Sequence, residues 1–321
     1  MPVAVSLAVL VCLFSTPGAA MAWEGYKEGC LWENVNSPTD LPAEAESEKE
    51  KCDRDLQVLT SLGKGAYGSA DLVLNKTGIA KHRDKETGVV SHLPPGGKYV
   101  LKKFEEKRVW DYFDKKESEP TRTEPCMQQY VFENIGMAPQ VFASWKCGEP
   151  AMGFLLMQRM GRRLMDLSEL LNAETLVDPA SGKEIKREDV TREVTKAFLG
   201  GLEALYSLGC MHQDLHDENI MFDLDGRLRF VDFGLAHCEK PGTKSETGMK
   251  KYITYESMSL VRLKELDAEE VEAQKNHDFG TFKILNTWKS PLSFWNAEIS
   301  SKGNVKLLDW LRGKELGVEG S

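Results

Sequence analysis

The stretch MHQDLHDENIMFDLDGRLRFVDFGLA, residues 211–236, restricts what this chain can fold into more than any other. Two short apolar runs, NIMFD and LRFVD, are joined by Asp225-Gly226, a strong hairpin-turn dipeptide. Polar residues stand at both ends of the hairpin: Asp214 and Asn219 before it, Asp232 after it. One reading gives them turn caps and the wet faces of strands. The other brings Asp214, Asn219 and Asp232 together on a metal-bound phosphate. The flanking sequence decides between them.

Upstream, REDVTREVTKAFLGGLEALYSLG carries Val190, Val194, Phe198, Leu202 and Leu205 near a 3.6 period, with Gly209 placed to end the helix. The chain from Leu56 is patterned differently. LQVLTSLGKGAYGSADLVL and KYVLKKF read as strands of an antiparallel sheet. The polar, Gly/Pro-rich segment between them reads as an extended hairpin or loop. EPCMQQYVFENIG has helical spacing, with Pro125 tolerated only in a first turn. VFASW and GFLLMQRM return to strand, and more helix is expected from the hairpin to the C-terminus. The pattern predicts an α+β chain with a β-rich first lobe and a helical second one.

At 321 residues and a net charge of -9, the chain can form two lobes, and its acidity argues against a nucleic-acid partner. The N-terminal run Val3 to Phe14 would span roughly 18 Å as a helix, short of the roughly 30 Å hydrocarbon core. It ends in Ala20-Met21-Ala22 and lacks Lys or Arg ahead of it. The expectation is a signal peptide over 1–22, a mature chain from about Trp23, no stable membrane span, and a secretory-pathway or secreted location. An organelle reached by the same route stays open. Residues 23–55 are rich in Glu, Pro and Ser and read as an acidic linker. Six cysteines remain after Cys12 leaves with the signal, and Cys30–Cys52 is the favoured pair. Asn75-Lys76-Thr77 is a glycosylation sequon in a turn.

Gly63, Gly65 and Gly68 in LGKGAYGSADLV lie at a strand–turn–strand, unlike the dinucleotide fingerprint, which runs from strand into helix. Without side chains, the backbone of these glycines can approach phosphates closely, and Lys64 between them belongs to the same candidate cofactor-binding segment. Lys102 shares its strand parity with Val100 and Phe104, and an inward lysine is costly unless it meets an anion. Lys103 is expected to face solvent. His212-x-Asp214-x4-Asn219, followed by Asp232-Phe233-Gly234, completes the set.

Together these residues resemble the protein-kinase family: the Gly-rich loop, the strand lysine of V-A-I-K, H-R-D-L-x-x-x-N and D-F-G, in the family's order. The resemblance covers about Leu56 to Phe282. It implies a bilobal fold, with an N-lobe over about 56–158, a minimal C-lobe over about 161–321, and ATP between them. By the same resemblance, Lys102 would pair the α- and β-phosphates, and Asp232 and Asn219 would hold Mg2+, or Mn2+ in its place. Asp214 would orient the acceptor hydroxyl. Glu124 would pair with Lys102, with Glu119 and Glu133 as alternatives. Met157 resembles the gatekeeper, and Gln158 to Met160 the hinge that meets adenine. His212 resembles the family's structural histidine, while Asp217 and Asp223 read as solvated or turn residues.

Some positions depart from the pattern. Gln213 replaces the arginine that commonly receives a phosphorylated activation loop. His216 replaces the usual lysine, as in small-molecule kinases of the aminoglycoside and choline type. Tyr255-Glu256 is a degenerate A-P-E, HDFGTF only loosely matches the family's next helix, and DWLRGKELG reads as a closing helix. The expected function is ATP-dependent phosphorylation of Ser/Thr on protein substrates. A small-molecule kinase and a secreted pseudokinase are the alternatives, and the sequence leaves the oligomeric state open.

Overall fold

The computed structural model describes residues 56–65, 68–76, 81–83, 90–105, 124–147, 152–238, 286–303 and 305–313. The signal, the acidic linker, Cys30–Cys52, Glu119, Tyr255-Glu256 and HDFGTF lie outside the described residues.

The first lobe is a five-stranded antiparallel sheet. It consists of β1 (Leu56–Lys64), β2 (Gly68–Asn75), β5 (Lys98–Glu105), β6 (Val141–Cys147) and β7 (Met152–Gln158), in the order β1-β2-β5-β7-β6. A short hairpin, β3 (Lys81–Arg83) with β4 (Val90–His92), occupies the polar segment between β2 and β5. One face of the sheet buries Val73, Leu101, Phe154 and Leu156, and the other buries Phe104, Val141 and Leu155. Each such side chain contributes roughly 1.5–3 kcal/mol. Helix α1 (Glu124–Ile135) begins at Glu124 with Pro125 in its first turn, and buries Met127, Tyr130 and Val131.

β8 (Met160–Arg163) leads into α2 (Leu164–Ala173), after which β9 (Leu176–Val177) and β10 (Glu184–Ile185) precede α3 (Arg187–Ser207). α3 is the axis of the second lobe. Its predicted stripe, Val190, Val194, Phe198, Leu202 and Leu205, is buried throughout. Gly209 adopts φ 86, the left-handed conformation that stops a helix without strain at glycine. Beyond it, β11 (Cys210–Met211) pairs with β14 (His237–Cys238), and β12 (Ile220–Asp223) with β13 (Leu228–Phe230). β12 also pairs with β8, tying the hairpin to the segment that crosses between the lobes.

Two expectations need correction. The described residues after β14 are not a run of helix. They are 3-10 turns at Asn286–Lys289, Ser293–Asn296 and Ser300–Lys302, strands β15 (Glu298–Ile299) and β16 (Val305–Lys306), and the five-residue helix α4 (Leu307–Leu311). Pro291 interrupts this segment, while Trp288, Phe294 and Trp295 bury one by one against α3 and the hairpin instead of forming a helical stripe. Lys103 does not face solvent: its ammonium lies 3.7 Å from Asp71, and its side chain is only 17% exposed. Asp223, expected as a solvated or turn residue, is a turn residue, and it is buried. It is 1% exposed, pairs with Arg229 at 2.8 Å, and accepts from the backbone N–H groups of Asp225 and Arg227, so it anchors the hairpin turn from inside.

Candidate active site

Lys102, on β5, reaches out of the sheet into the space between the lobes. Its Nζ donates to both oxygens of Glu124, at 2.7 and 2.9 Å, and to Oδ1 of Asp232 at 2.7 Å. Burial alone would pull the ammonium down, but the carboxylates of Glu124 and Asp232 outweigh it and raise the lysine above its ordinary value. Asp232 is also pushed up by burial, yet Lys102 holds it below the usual carboxylate range. Glu124 is the more deeply buried of the two acids, and that burial lifts it despite Lys102. Two carboxylates thus share one ammonium, with the charge held most firmly on Asp232. Asp232 adopts φ 63, a left-handed conformation, and its side chain accepts from Gly234 N–H as it heads the 3-10 turn Phe233–Leu235.

The loop before β12 supplies the other candidate residues. Asn219 Nδ2 donates to the carbonyl of Asp214 at 2.9 Å and lies 3.3 Å from Oδ2 of its carboxylate. Val231 N–H donates to the carbonyl of Asn219, which fixes the loop against the strand entering Asp232. His212 is fully buried, with Nε2 at 3.0 Å from the carbonyl of Val231 and its ring 4.8 Å from that of Phe233. A carbonyl only accepts, so Nε2 carries the proton. Burial pushes this imidazole down to about 4, which suits a neutral structural support and not a general base. Gln213 takes φ 67, and His216 lies 3.8 Å from Asp217 at the surface.

A cavity of about 740 Å³ opens in front of these groups. Ala70, Leu72, Val100, Met157, Met221 and Val231 form its apolar walls, with Lys102, Glu124, Asn219 and Asp232 at its polar end. Met157 and Met160 both line it, and Met157 Sδ accepts from Gln128 Nε2 at 3.4 Å. Gly63, Lys64, Gly65 and Gly68 lie beyond its lining. A Cβ at Gly63 or Gly65 would meet nothing, whereas at Gly68 it would fall 2.0 Å from the carbonyl of Lys103. Close packing of β2 on β5 therefore requires glycine at position 68 independently of any ligand.

Two features escaped sequence reasoning. Cys210 and Cys238 form a disulfide across β11 and β14, bracketing the stretch that holds Asp214, Asn219 and Asp232. Arg159, Arg162 and Arg312 line the mouth of the cavity, with Arg312 arriving from the far end of the chain.

Residues 99–269, just over half of the chain, match the model of the protein kinase domain. This chain belongs to the protein kinase family. The kinase match takes in Lys102, Glu124, Asp214, Asn219 and Asp232 and begins after the Gly-rich segment. Among similar curated proteins, a mouse protein named "Sperm motility kinase Tcr mutant form" is 33% identical over 76 residues, covering 24% of this chain and 16% of that protein. "Serine/threonine-protein kinase AtPK2/AtPK19" of Arabidopsis thaliana is 32% identical over 96 residues, 29% of this chain and 20% of that one. "Calcium-dependent protein kinase 4" of the same plant is 39% identical over 77 residues, covering 23% and 15%. The alignments thus span about a fifth or less of the relatives' lengths.

Within this kinase domain, the oxygens available to a hard cation fit magnesium. Asn219 commits its Nδ2 to Asp214, leaving Oδ1 as the donor toward the cleft, and Asp232 commits only Oδ1 to Lys102. One carboxylate and one amide oxygen, completed by phosphate oxygens and water, is the sparse ligand set that this ion accepts. Among the described residues, no helix is long and apolar enough to cross a membrane.

Proposed function

We propose that the chain transfers the γ-phosphate of ATP to serine or threonine hydroxyls of proteins, and that it does so on the secretory route. The observation carrying the first part is the junction of Lys102, Glu124 and Asp232 beside the Asp214–Asn219 pair. Phosphoryl transfer asks for alignment and charge neutralisation more than covalent chemistry, and this arrangement supports both. The apolar walls would take the base, with Met157 and Met160 beside it. Lys102 would hold the α- and β-phosphates in the orientation that Glu124 imposes on its ammonium. Asp232 and Asn219 would hold Mg2+, which neutralises phosphate charge when bound. Asp214 would accept the hydroxyl proton as the new P–O bond forms, the β,γ-bridging bond breaks and ADP departs. The Ser/Thr reading draws on relatives whose names include "serine/threonine-protein kinase". The secretory reading draws on residues 1–22, and a Cys210–Cys238 disulfide suits an oxidising compartment.

The test is an acceptor panel. The chain is incubated with Mg-ATP and either a mixed protein acceptor or a set of sugars and aminoalcohols, and products are read by mass spectrometry. Phosphoserine or phosphothreonine on protein supports the proposal. Phosphate appearing only on the small molecules would replace it with the reading that His216 favours, since this exposed histidine stands where protein kinases carry lysine.

A further inference from the structure

Among the described residues, no acid pairs with the arginines at the cleft mouth. Arg159 Nη2 donates to the carbonyl of Arg312, Arg162 Nε to that of Trp310, and Arg312 Nε to that of Leu224. Among the described residues none of the three forms an ion pair, whereas their neighbour Arg163 is paired with Asp166 and Glu218. Each guanidinium offers five N–H donors, so most remain available. The cluster is also held in shape. Arg162 lies 5.4 Å from the centre of the Trp310 ring. A Cβ at Gly161 would meet the carbonyl of Leu311 at 2.8 Å, so β8 and the α4 segment pack backbone to backbone. Three arginines on a fixed rim, without an ion pair among the described residues, stand out in a chain of net charge -9.

Their place indicates what they meet. Lys102 pairs in register with Leu155, and Met157 lies two residues further along β7. Arg159 follows two residues later, about 13 Å beyond the lysine level at strand rise. A nucleotide with phosphates on Lys102 and its base near Met157–Met160 places Arg159 at the base end of the cleft with Arg162 and Arg312, away from the triphosphate. The same rim borders the loop of Asp214 and Asn219, because the neighbouring Arg163 lies 3.7 Å from Glu218, one residue before Asn219. We infer that Arg159, Arg162 and Arg312 form an anion subsite for the acceptor, selecting polypeptide segments with acidic side chains about three to five residues from the phosphorylated hydroxyl. This rests on the kinase reading and names its substrate class.

The test compares two fluorescein-labelled peptides that carry one serine and either glutamates or glutamines at those positions. Binding is read by anisotropy without turnover, on the wild type and on an Arg159→Gln/Arg312→Gln double variant, with Arg162→Gln made separately. The expected result is tighter binding of the glutamate peptide, weakened by salt and reduced about tenfold in the double variant, with binding of the glutamine peptide unchanged. Selective binding without phosphate transfer would support the subsite while sinking the kinase reading. Equal binding of the two peptides to the wild type overturns the inference. So does a double variant that loses ATP affinity but keeps peptide selectivity, which would assign the rim to the nucleotide.

Discussion

The ammonium of Lys102 lies 2.7 Å from Oδ1 of Asp232, a residue 130 positions along the chain in the other lobe. The same ammonium holds Glu124, so strand β5, helix α1 and the turn after β13 meet at one charge. Lys102→Met should lower kcat/KM for phosphate transfer by at least about a hundredfold, because the phosphates lose their fixed cation. It also leaves Glu124 buried without its partner, which should cost about 3 kcal/mol in urea unfolding. Glu124→Gln leaves the lysine with Asp232 and should reduce kcat/KM less, by about tenfold.

The buried pair Asp223–Arg229 holds the hairpin that precedes Asp232. Arg229→Met should destabilise the chain by about 2–3 kcal/mol, since it removes the nearest charge partner of a carboxylate that is 2% exposed and leaves it Arg227 at 3.7 Å. Chemical unfolding measures this. Asp223→Asn, which keeps the acceptors for the turn's N–H groups, should cost less.

His212 sets a pH dependence. Its imidazole is held near 4 in the folded chain against an ordinary 6.5, so the unfolded chain takes up a proton first as the pH falls. Stability is therefore unaffected above pH 6.5 and is lost progressively as the pH drops from 6.5 toward 4, by up to about 3 kcal/mol. His212→Gln, which keeps a donor for the carbonyl of Val231, should flatten that part of the slope in urea midpoints taken between these pH values.

Glu203 works in the opposite direction. It is 5% exposed on α3, Oε2 has no hydrogen-bond partner among the described residues, and burial pushes its carboxyl up to about 7 against an ordinary 4.5. The folded chain keeps the proton longer, so stability falls as the pH rises from 4.5 through 7. Glu203→Gln should raise stability at pH 8 by about 1 kcal/mol and leave it nearly unchanged at pH 4.5. A melting temperature that rises equally at both pH values would contradict this.

The disulfide between Cys210 and Cys238 closes a loop over a sequence separation of 28. Loop-closure entropy gives it roughly 3–4 kcal/mol. The Cys210→Ser/Cys238→Ser double variant should unfold at correspondingly lower urea and lose less stability on reduction than the wild type.

The sequence revealed those parts of the site that rest on local order. Gly209 and Asp225-Gly226 mark chain reversals by their own chemistry, and both glycines adopt φ 86. The lysine, the H-x-D-x4-N spacing and the D-F-G triplet could be read because their succession along the chain carries the resemblance. What sequence missed depends on distant neighbours. Strand parity gave the direction of Lys102 but not the acid that meets Lys103, since Asp71 lies on the adjacent strand. Cys210 and Cys238 are partnered only because two-residue strands pair across the intervening hairpin. The cleft-mouth arginines acquire a common role only when Trp310 and Arg312 return from the far end of the chain to β8.

The most direct test of the account is γ-phosphate transfer from Mg-ATP by the wild type and by Asp214→Ala, followed by mass spectrometry on the chain itself and on a mixed acceptor protein. Phosphoserine or phosphothreonine is expected with the wild type and a loss of at least about a hundredfold with Asp214→Ala, while Mg-ATP binding persists in both. Equal transfer by the two proteins, or no transfer by a folded wild type that binds Mg-ATP, would contradict it.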